Sequence, residues 1–269
     1  MAAAIRRFHI LMLLAGLCAG LMPAAAHEFW IEPLQFRLDP ETEIGARLKV
    51  GQNFAGDNLP WLPQQVAEAG IVDAAGARPL TGMVGDLPAI SEQARRPGLN
   101  VLFYYSKPST LTHTDPERFE TFVRETGQDT LLQTHRDRGL PQTGFIEAFS
   151  RCAKALVQVG EAGGGDGLTE MPLELLAEAS PHASESVSLP VRLFWLGEPL
   201  AGAQITVFRK SGDVQVMKLR TGRDGRAMVP LQGEATYMLS AVRMIPRDDE
   251  TEIVWHSYWA SMTFRIGDG

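Results

Sequence analysis

Apolar and polar positions alternate over short distances along most of the chain, and long runs with the 3.6-residue period of an amphipathic helix are scarce. Residues 47–50 and 99–105 have the composition of strands. Clusters of Gly, Pro and Asp separate such runs and indicate turns. The pattern therefore predicts a mostly β fold.

One helix is predicted where this pattern changes, directly after Asp115. Asp115 is a favoured N-cap residue, Pro116 suits the first helical position, and Gly127 suits the residue that follows a helix. Three apolar residues share one face at helical spacing, namely Phe119, Phe122 and Val123. We therefore expect one or two short helices within an N-terminal, β-rich domain.

The apolar segment 145–159 is ambiguous between strand and helix, although its second half favours a strand. It contains Arg151 and Lys154, which fit either buried ion pairs or an exposed face. Cys152 lies between them and is predicted to be a small buried residue rather than a nucleophile. The glycine-rich residues 160–167 are predicted to form a flexible loop, because no Lys-Ser or Lys-Thr of a phosphate-binding loop follows them.

A stretch rich in Ser, Ala and Pro at residues 179–188 marks a candidate domain boundary. Beyond it, short alternating runs are separated by turn signals at spacings of about 8–12 residues. We interpret residues 189–269 as a small β-sandwich of the immunoglobulin or transthyretin type. The predicted organisation is two β-sandwich-like domains, which comprise residues 27–178 and residues 189–269.

Composition and charge exclude several classes of protein. The chain has 25 basic and 32 acidic residues and a formal net charge of −7, so it lacks the positive field that nucleic-acid binding requires. Its two cysteines, Cys18 and Cys152, cannot form a disulfide framework or a zinc site built on cysteine pairs. We therefore do not expect nucleic acid as a partner.

Residues 1–26 have the three parts of a cleavable secretory signal peptide. The basic pair Arg6 and Arg7 precedes the apolar residues 8–22, and a run of small residues then ends at Ala26. An apolar run of about 15 residues is shorter than the roughly 20 residues that span a membrane. We therefore expect export, with no transmembrane segment in the mature chain.

Cleavage after Ala26 would make His27 the first residue of the mature chain. A free N-terminal histidine offers its α-amine and its ring Nδ1 together, and such nitrogen ligands suit Cu, Ni, Co and Zn. A second histidine would complete a three-nitrogen site, and the candidates are His113, His135, His182 and His256. We select His113, which lies near the carboxylate of Asp115, and His256, which lies near the last strand, although spacing does not choose between them. The alternative is that all of these are ordinary surface or core histidines.

Six segments carry a family resemblance. They are His-Glu-Phe-Trp-Ile-Glu-Pro at 27–33, Gly-Gln-Asn-Phe at 51–54, Phe-Ser-Arg-Cys-Ala-Lys-Ala-Leu at 149–156, Pro-Leu-Glu-Leu at 172–175, residues 221–229, and Ser-Tyr-Trp-Ala-Ser-Met-Thr-Phe at 257–264. As a set they resemble the DUF4198 family, and the resemblance covers nearly the whole mature chain. It implies an exported bacterial protein of the periplasm, from a family described as associated with cobalt or nickel transport.

The leading hypothesis is a non-enzymatic periplasmic protein that binds nickel, cobalt or copper and serves a membrane metal transporter. Two alternatives stay open at this point. One is a metal-free structural or interaction module of the cell envelope, and the other is a copper redox protein that uses the N-terminal histidine. The sequence contains neither a Gly-x-Ser-x-Gly nucleophile elbow nor a His-Glu-x-x-His metal motif.

We predict that the mature chain begins at His27, because the small-residue run ends at Ala26 and the family-like segment starts directly after it. Intact-mass measurement of the exported protein checks this. A mature chain that keeps even one residue before His27 would contradict the prediction, because the α-amine would no longer belong to the histidine.

Overall fold

The computed structural model of the chain describes residues 28–161, 163–182, 187–248 and 252–267. Within them the chain forms three β-sheets and two α-helices. The helices are α1 (Pro116–Glu125) and α2 (Thr130–Asp137), and one 3-10 turn covers Pro63–Gln65. The strands are β1 (Glu28–Pro33), β2 (Arg37–Leu38), β3 (Glu43–Gln52), β4 (Ala55–Leu59), β5 (Val66–Asp73), β6 (Gly76–Pro79), β7 (Ile90–Gln93), β8 (Gly98–Ser106), β9 (Ser109–His113), β10 (Phe145–Val159), β11 (Leu173–Ala177), β12 (Ser188–Trp195), β13 (Glu198–Pro199), β14 (Gln204–Ser211), β15 (Asp213–Arg220), β16 (Arg226–Pro230), β17 (Ala235–Pro246) and β18 (Ile253–Ile266).

A ten-stranded sheet, here called the central sheet, forms the middle layer. Its strand order is β15-β14-β17-β18-β10-β8-β5-β6, and β2 and β9 also pair with β10. β10 runs parallel to β18 and antiparallel to β8 and β9. Most residues of β10 are buried. Burial on both faces explains why its sequence lacks the simple alternation of a half-exposed strand.

The first small sheet, made of β1, β3, β4 and β7, packs on one face of the central sheet, here called the front face. Ala153, Ala155 and Val157 of β10 point to this face and share a core with Ile31 and Ile44 of the small sheet. Successive side chains of a strand point to opposite faces. The odd-numbered residues of β10 therefore belong to the front face.

The opposite or back face of the central sheet carries the sheet of β11, β12, β13 and β16. Leu156 of β10 and Met262 of β18 point to this face, where they share a core with Leu175 and Val191. Among the described residues, the two largest hydrophobic cores therefore lie on opposite sides of the central sheet.

Helices α1 and α2 pack on the front face, beside the first small sheet. Asp115 caps α1 as predicted, because its carboxylate accepts hydrogen bonds from the backbone N–H groups of Glu117 at 3.0 Å and Arg118 at 3.3 Å. The apolar face of α1 is buried against Trp259 and other residues of the central sheet. Gly127 follows α1 with φ of +72°, in the left-handed region that glycine tolerates best.

These observations confirm the predicted fold class: mostly β, with several packed sheets and two short helices in the N-terminal half. The immunoglobulin or transthyretin likeness stays an expectation. The ambiguous segment 145–159 is a strand, β10, over its whole length. In the described part of the chain no helix could cross a membrane, since α1 and α2 have 10 and 8 residues.

The predicted domain boundary at residues 179–188 lies between two paired strands. β11 precedes it, β12 follows it, and the two form an antiparallel ladder from Leu173–Trp195 to Ala177–Val191. β18, from the second half of the chain, pairs with β10 of the first half along one edge and with β17 along the other. The division into residues 27–178 and 189–269 therefore stays a proposal, to be tested with fragments.

We predict that a fragment of residues 168–269 unfolds at a higher temperature than a fragment of residues 189–269. The longer fragment keeps Leu173 and Leu175, which are almost fully buried in the back core, and a lost buried leucine costs roughly 2–5 kcal/mol. For a domain of this size each kcal/mol corresponds to about 4–8 °C. Thermal unfolding followed by circular dichroism measures the difference.

The matched control replaces residues 168–188 of the longer fragment with a Gly-Ser segment of equal length, which should unfold like the shorter fragment. If both natural fragments gave the spectrum of a disordered chain, residues 189–269 would not fold without the rest of the chain and the proposed boundary would be wrong.

Candidate functional site

An open cavity of about 940 Å³ lies on the front face, between helix α1 and the first small sheet. Strands β10, β14, β17 and β18 form its floor. Its apolar lining includes Phe122, Phe149, Phe208 and Trp259. The rings of Phe122 and Trp259 stack with their centroids 5.3 Å apart, so helix and floor are joined at this wall.

Glu28, the first residue of β1, lines this cavity. Its side chain is partly buried, and its Oε2 has no hydrogen-bond partner among the described residues. Burial raises the pKa of Glu28 to about 7, against the opposing effect of the backbone N–H groups of Glu28 and Asn53. A buried polar atom without a partner costs free energy that a bound ligand can recover.

Arg151 of β10 also lines the cavity, and its guanidinium lies over two aromatic rings. Its Cζ is 5.4 Å from the ring centroid of Phe29 and 5.2 Å from that of Phe149. Burial lowers the pKa of Arg151 to about 10, so the group still carries its charge at neutral pH. Arg151 is thus a half-buried cation on the front face, in the same cavity as the carboxyl group of Glu28.

A chain of hydrogen bonds crosses the floor of the cavity. Trp259 Nε1 donates to Ser257 Oγ at 2.9 Å, and the Ser257 hydroxyl donates to Glu147 Oε1. The second oxygen of Glu147 lies 2.6 Å from His113 Nε2. Both oxygens of this buried carboxylate are therefore satisfied, and its strand position fixes the orientation of His113.

The contact with Glu147 determines which nitrogen of His113 can act as a ligand. A neutral imidazole that donates from Nε2 to the carboxylate keeps its lone pair on Nδ1. Metal-binding histidines in proteins are commonly held in this way by a carboxylate on the other ring nitrogen. His113 is only 8% exposed, and its ring stacks on Phe145 with centroids 4.7 Å apart. His113 is thus a largely buried imidazole at the cavity wall, held in place by Glu147 and Phe145.

His256 lies on the other side of the central sheet. Its Nε2 is 3.0 Å from Ser150 Oγ, its Nδ1 is 3.3 Å from the Tyr258 hydroxyl, and its ring stacks on Tyr258. Ser150 and Tyr258 belong to the back face of β10 and β18. Burial lowers the pKa of His256 to about 4, so the ring is neutral at pH 7. The structure therefore does not bring His113 and His256 together.

The two other candidate histidines are held by internal contacts. His135 Nδ1 accepts a hydrogen bond from Trp255 Nε1 at 3.1 Å, so its Nε2 carries the proton that it shares with the Pro141 carbonyl at 2.9 Å. His182 is 3% exposed, and burial lowers its pKa to about 4. His135 keeps no free lone pair, and neither residue lines the cavity.

His27, the central residue of the metal hypothesis, lies outside the described residues. Within residues 28–161, 163–182, 187–248 and 252–267 no group of three or more His, Cys, Asp or Glu side chains could hold a metal ion. Among these residues, the cavity is lined by one histidine, His113, and by Glu28, the residue that follows His27 in the sequence.

Cys152 is 1% exposed, and burial raises its pKa to about 12. It is therefore the small buried residue that the sequence predicted. Sequence reasoning did not select Glu28 or Glu147. The sequence does contain a feature that points to Glu147, which is its position as a carboxylate within the apolar segment 145–159. If that segment is a buried strand, the carboxylate needs buried hydrogen-bond partners.

Comparisons with known proteins give a family match. The model of the DUF4198 family, described as a domain of unknown function, matches residues 24–244. A search of curated proteins finds no significant match to the chain. The matched range includes Glu28, His113, Glu147 and Arg151, and it ends before Trp259.

We predict that His256 makes the protein less stable in acid. Its pKa is about 4 in the folded chain, against an ordinary histidine value of about 6.5 in the unfolded chain, so the folded state binds fewer protons between these values. The contribution of His256 to the free energy of unfolding is then fully present above pH 6.5. It decreases as the pH falls toward 4, by on the order of 1–3 kcal/mol. His256→Gln removes this titration and should flatten the decrease.

Thermal unfolding of both proteins from about pH 4 to about pH 8 checks this. The difference between the two curves isolates His256, because the titrations of Glu28 and His182 are common to both. A constant difference across this range would show that His256 does not titrate as described.

Proposed function

The chain belongs to the DUF4198 family, and we propose that it is an exported, non-enzymatic protein of the periplasm that binds a divalent transition metal at the front-face cavity. The proposed metals are nickel, cobalt and copper, and the proposed role is to serve a membrane metal transporter. The ligands are the α-amine and ring of His27 together with the ring of His113.

The observation that carries this proposal is the position of Glu28. Its carboxylate lines the same cavity as His113, with a buried oxygen that lacks a partner among the described residues. The peptide chain joins Glu28 directly to His27, and consecutive Cα atoms are about 3.8 Å apart. A mature N-terminus at His27 is therefore tethered to the wall of this cavity.

The donor types fit the metals named. Imidazole and amine nitrogens suit Cu, Ni, Co and Zn, whereas sites for Mg and Ca are built from oxygen ligands. Glu147 supports His113 through the ring nitrogen that is not available to the metal. In this proposal Glu28 adds a carboxylate oxygen or accepts a hydrogen bond from a ligand of the metal.

The charge of the cavity also favours a cation. Five carboxylates line it, namely Glu28, Asp115, Glu117, Glu125 and Glu147, against three basic residues, namely Arg118, Arg151 and Lys218. A cleft of one predominant sign raises the local concentration of ions of the opposite sign. The proposal includes no catalytic step, and the buried thiol of Cys152 is not available as a nucleophile.

We predict that metal affinity depends on His27, on a free α-amine and on His113. Three changes should each weaken Cu²⁺ or Ni²⁺ binding at least about tenfold: His27→Ala, a one-residue extension before His27, and His113→Ala. Tenfold is the smallest loss typical of mutating a residue that only supports a metal ligand, and losing a ligand itself should cost at least as much. His256→Ala is the matched control, since that ring lies on the back face, and it should leave the affinity unchanged. Calorimetry with the exported protein measures these affinities.

The pH dependence provides a second readout. An α-amine with a pKa of about 7.7–8.0 and an imidazole with a pKa of about 6.5 must both lose a proton to bind the metal. Affinity should therefore fall as the pH drops from about 8 to about 5, more steeply than for a site with one histidine.

Other outcomes would favour the alternatives. No binding at micromolar metal, or equal binding by all variants, would refute the metal site and support a structural or interaction module. Oxidase or peroxidase activity that disappears on chelation would instead support a copper redox protein.

A further inference from the structure

Lys154 is buried on the back face of β10, together with two carboxylates. Its Nζ lies 2.6 Å from Glu174 Oε1, 3.0 Å from Asp166 Oδ1 and 2.7 Å from the carbonyl oxygen of Gly167. The side chains of Lys154, Asp166 and Glu174 are 1%, 0% and 2% exposed. Of the two interpretations left open by the sequence, a buried ion pair or an exposed face, Lys154 forms the buried ion pair.

Backbone and hydroxyl donors hold both carboxylates in place. Asp166 Oδ2 accepts from the Ala177 N–H at 2.9 Å, and Asp166 Oδ1 accepts from the Gly167 N–H at 2.8 Å. Glu174 Oε1 accepts from the N–H and the hydroxyl of Thr169, at 2.7 Å and 2.8 Å. The amine and the Asp166 carboxyl are therefore fixed in contact.

The ionic form of this cluster carries a desolvation cost. Removing ammonium and carboxylate groups from water costs several kcal/mol per ion even after relaxation. Burial raises the pKa of Asp166, which favours its neutral carboxylic acid. One proton transfer from the ammonium to this carboxyl gives a neutral amine beside a neutral acid, the two groups that can condense to an amide.

We propose that Lys154 and Asp166 are joined by an intramolecular amide bond, formed by the folded chain with Glu174 as the proton-transfer group. The geometry favours this step because fixing an amine and a carboxyl in contact replaces a bimolecular encounter, and such proximity can correspond to an effective molarity of about 10⁵–10⁸ M. The exclusion of water favours the amide over its hydrolysis.

The reaction balances without any oxidant or cofactor. The lone pair of neutral Lys154 Nζ attacks Cγ of protonated Asp166, and a bond from Nζ to Cγ forms. Glu174 accepts a proton from Nζ and gives it to the departing oxygen of Asp166, whose bond to Cγ breaks. One water leaves, Glu174 regains its ionised form, and two opposite charges are removed from the interior.

The bond would fasten the glycine-rich segment 160–167 to the central sheet. This segment connects β10 to β11, and glycine-rich chain has high conformational entropy when unfolded. A covalent link between residues 154 and 166 would hold the start of β11 against the back face, where Leu173 and Leu175 enter the core.

High-resolution intact mass of the exported protein tests this. We expect a mass about 18 Da below that of the mature sequence, the mass of one water, and a branched peptide joining residues 154 and 166 in tandem spectra of a digest. Asp166→Asn provides a sharp comparison. It starts about 1 Da lighter and loses ammonia of about 17 Da, so its product should have the same mass as the native product.

Lys154→Arg and Glu174→Gln are the matched controls, and both should keep the full mass of their sequences. Lys154→Arg also tests the competing explanation, because Asp166 is followed by Gly167 and this pair can lose water to form a cyclic imide without lysine. A loss of about 18 Da that persists in Lys154→Arg, or a native chain at full mass, would overturn the proposal. The native mass and the branched peptide are decisive even if a variant fails to fold.

Discussion

The rest of the structure depends on the burial of β10 on both faces and its hydrogen bonding along both edges. Its partners are β18 along one edge and β8 and β9 along the other, so strands distant in sequence become one sheet. Because its side chains alternate, one strand supplies the front core through Ala153 and the back core through Leu156. A shift of one residue in register would exchange the two sets and place charged groups in the wrong core.

The same alternation places the polar side chains of β10 on two opposite faces of the central sheet. Glu147 and Arg151 point to the front, where the cavity lies, while Ser150 and Lys154 point to the back, where they make buried polar contacts. The front face is open because α1 and the first small sheet cover different ends of the central sheet and leave its floor exposed between them. A cavity between two separate covering layers can accept a ligand without disturbing either core.

Much of the local structure could be predicted from the sequence. The capped helix after Asp115, the β-rich composition and the burial of Cys152 follow from short-range preferences. The parallel pairing of β10 with β18 could not be predicted, because register between distant strands depends on tertiary packing. For the same reason the sequence could not choose between His113 and His256. The face on which each histidine lies depends on strand pairing with the segment 145–159, which the sequence left ambiguous.

The buried acidic groups show why Glu28 differs from the others. Glu147 receives a serine hydroxyl and a histidine, and Glu174 receives a lysine, a hydroxyl and a backbone N–H. Among carboxylate oxygens of the described residues, Glu28 Oε2 is the buried one without a partner. A protein that satisfies its other buried carboxylates gains nothing in stability from leaving this one unpaired. Its position in an open cavity, next to the proposed mature N-terminus, is why the proposed ligand site is placed there.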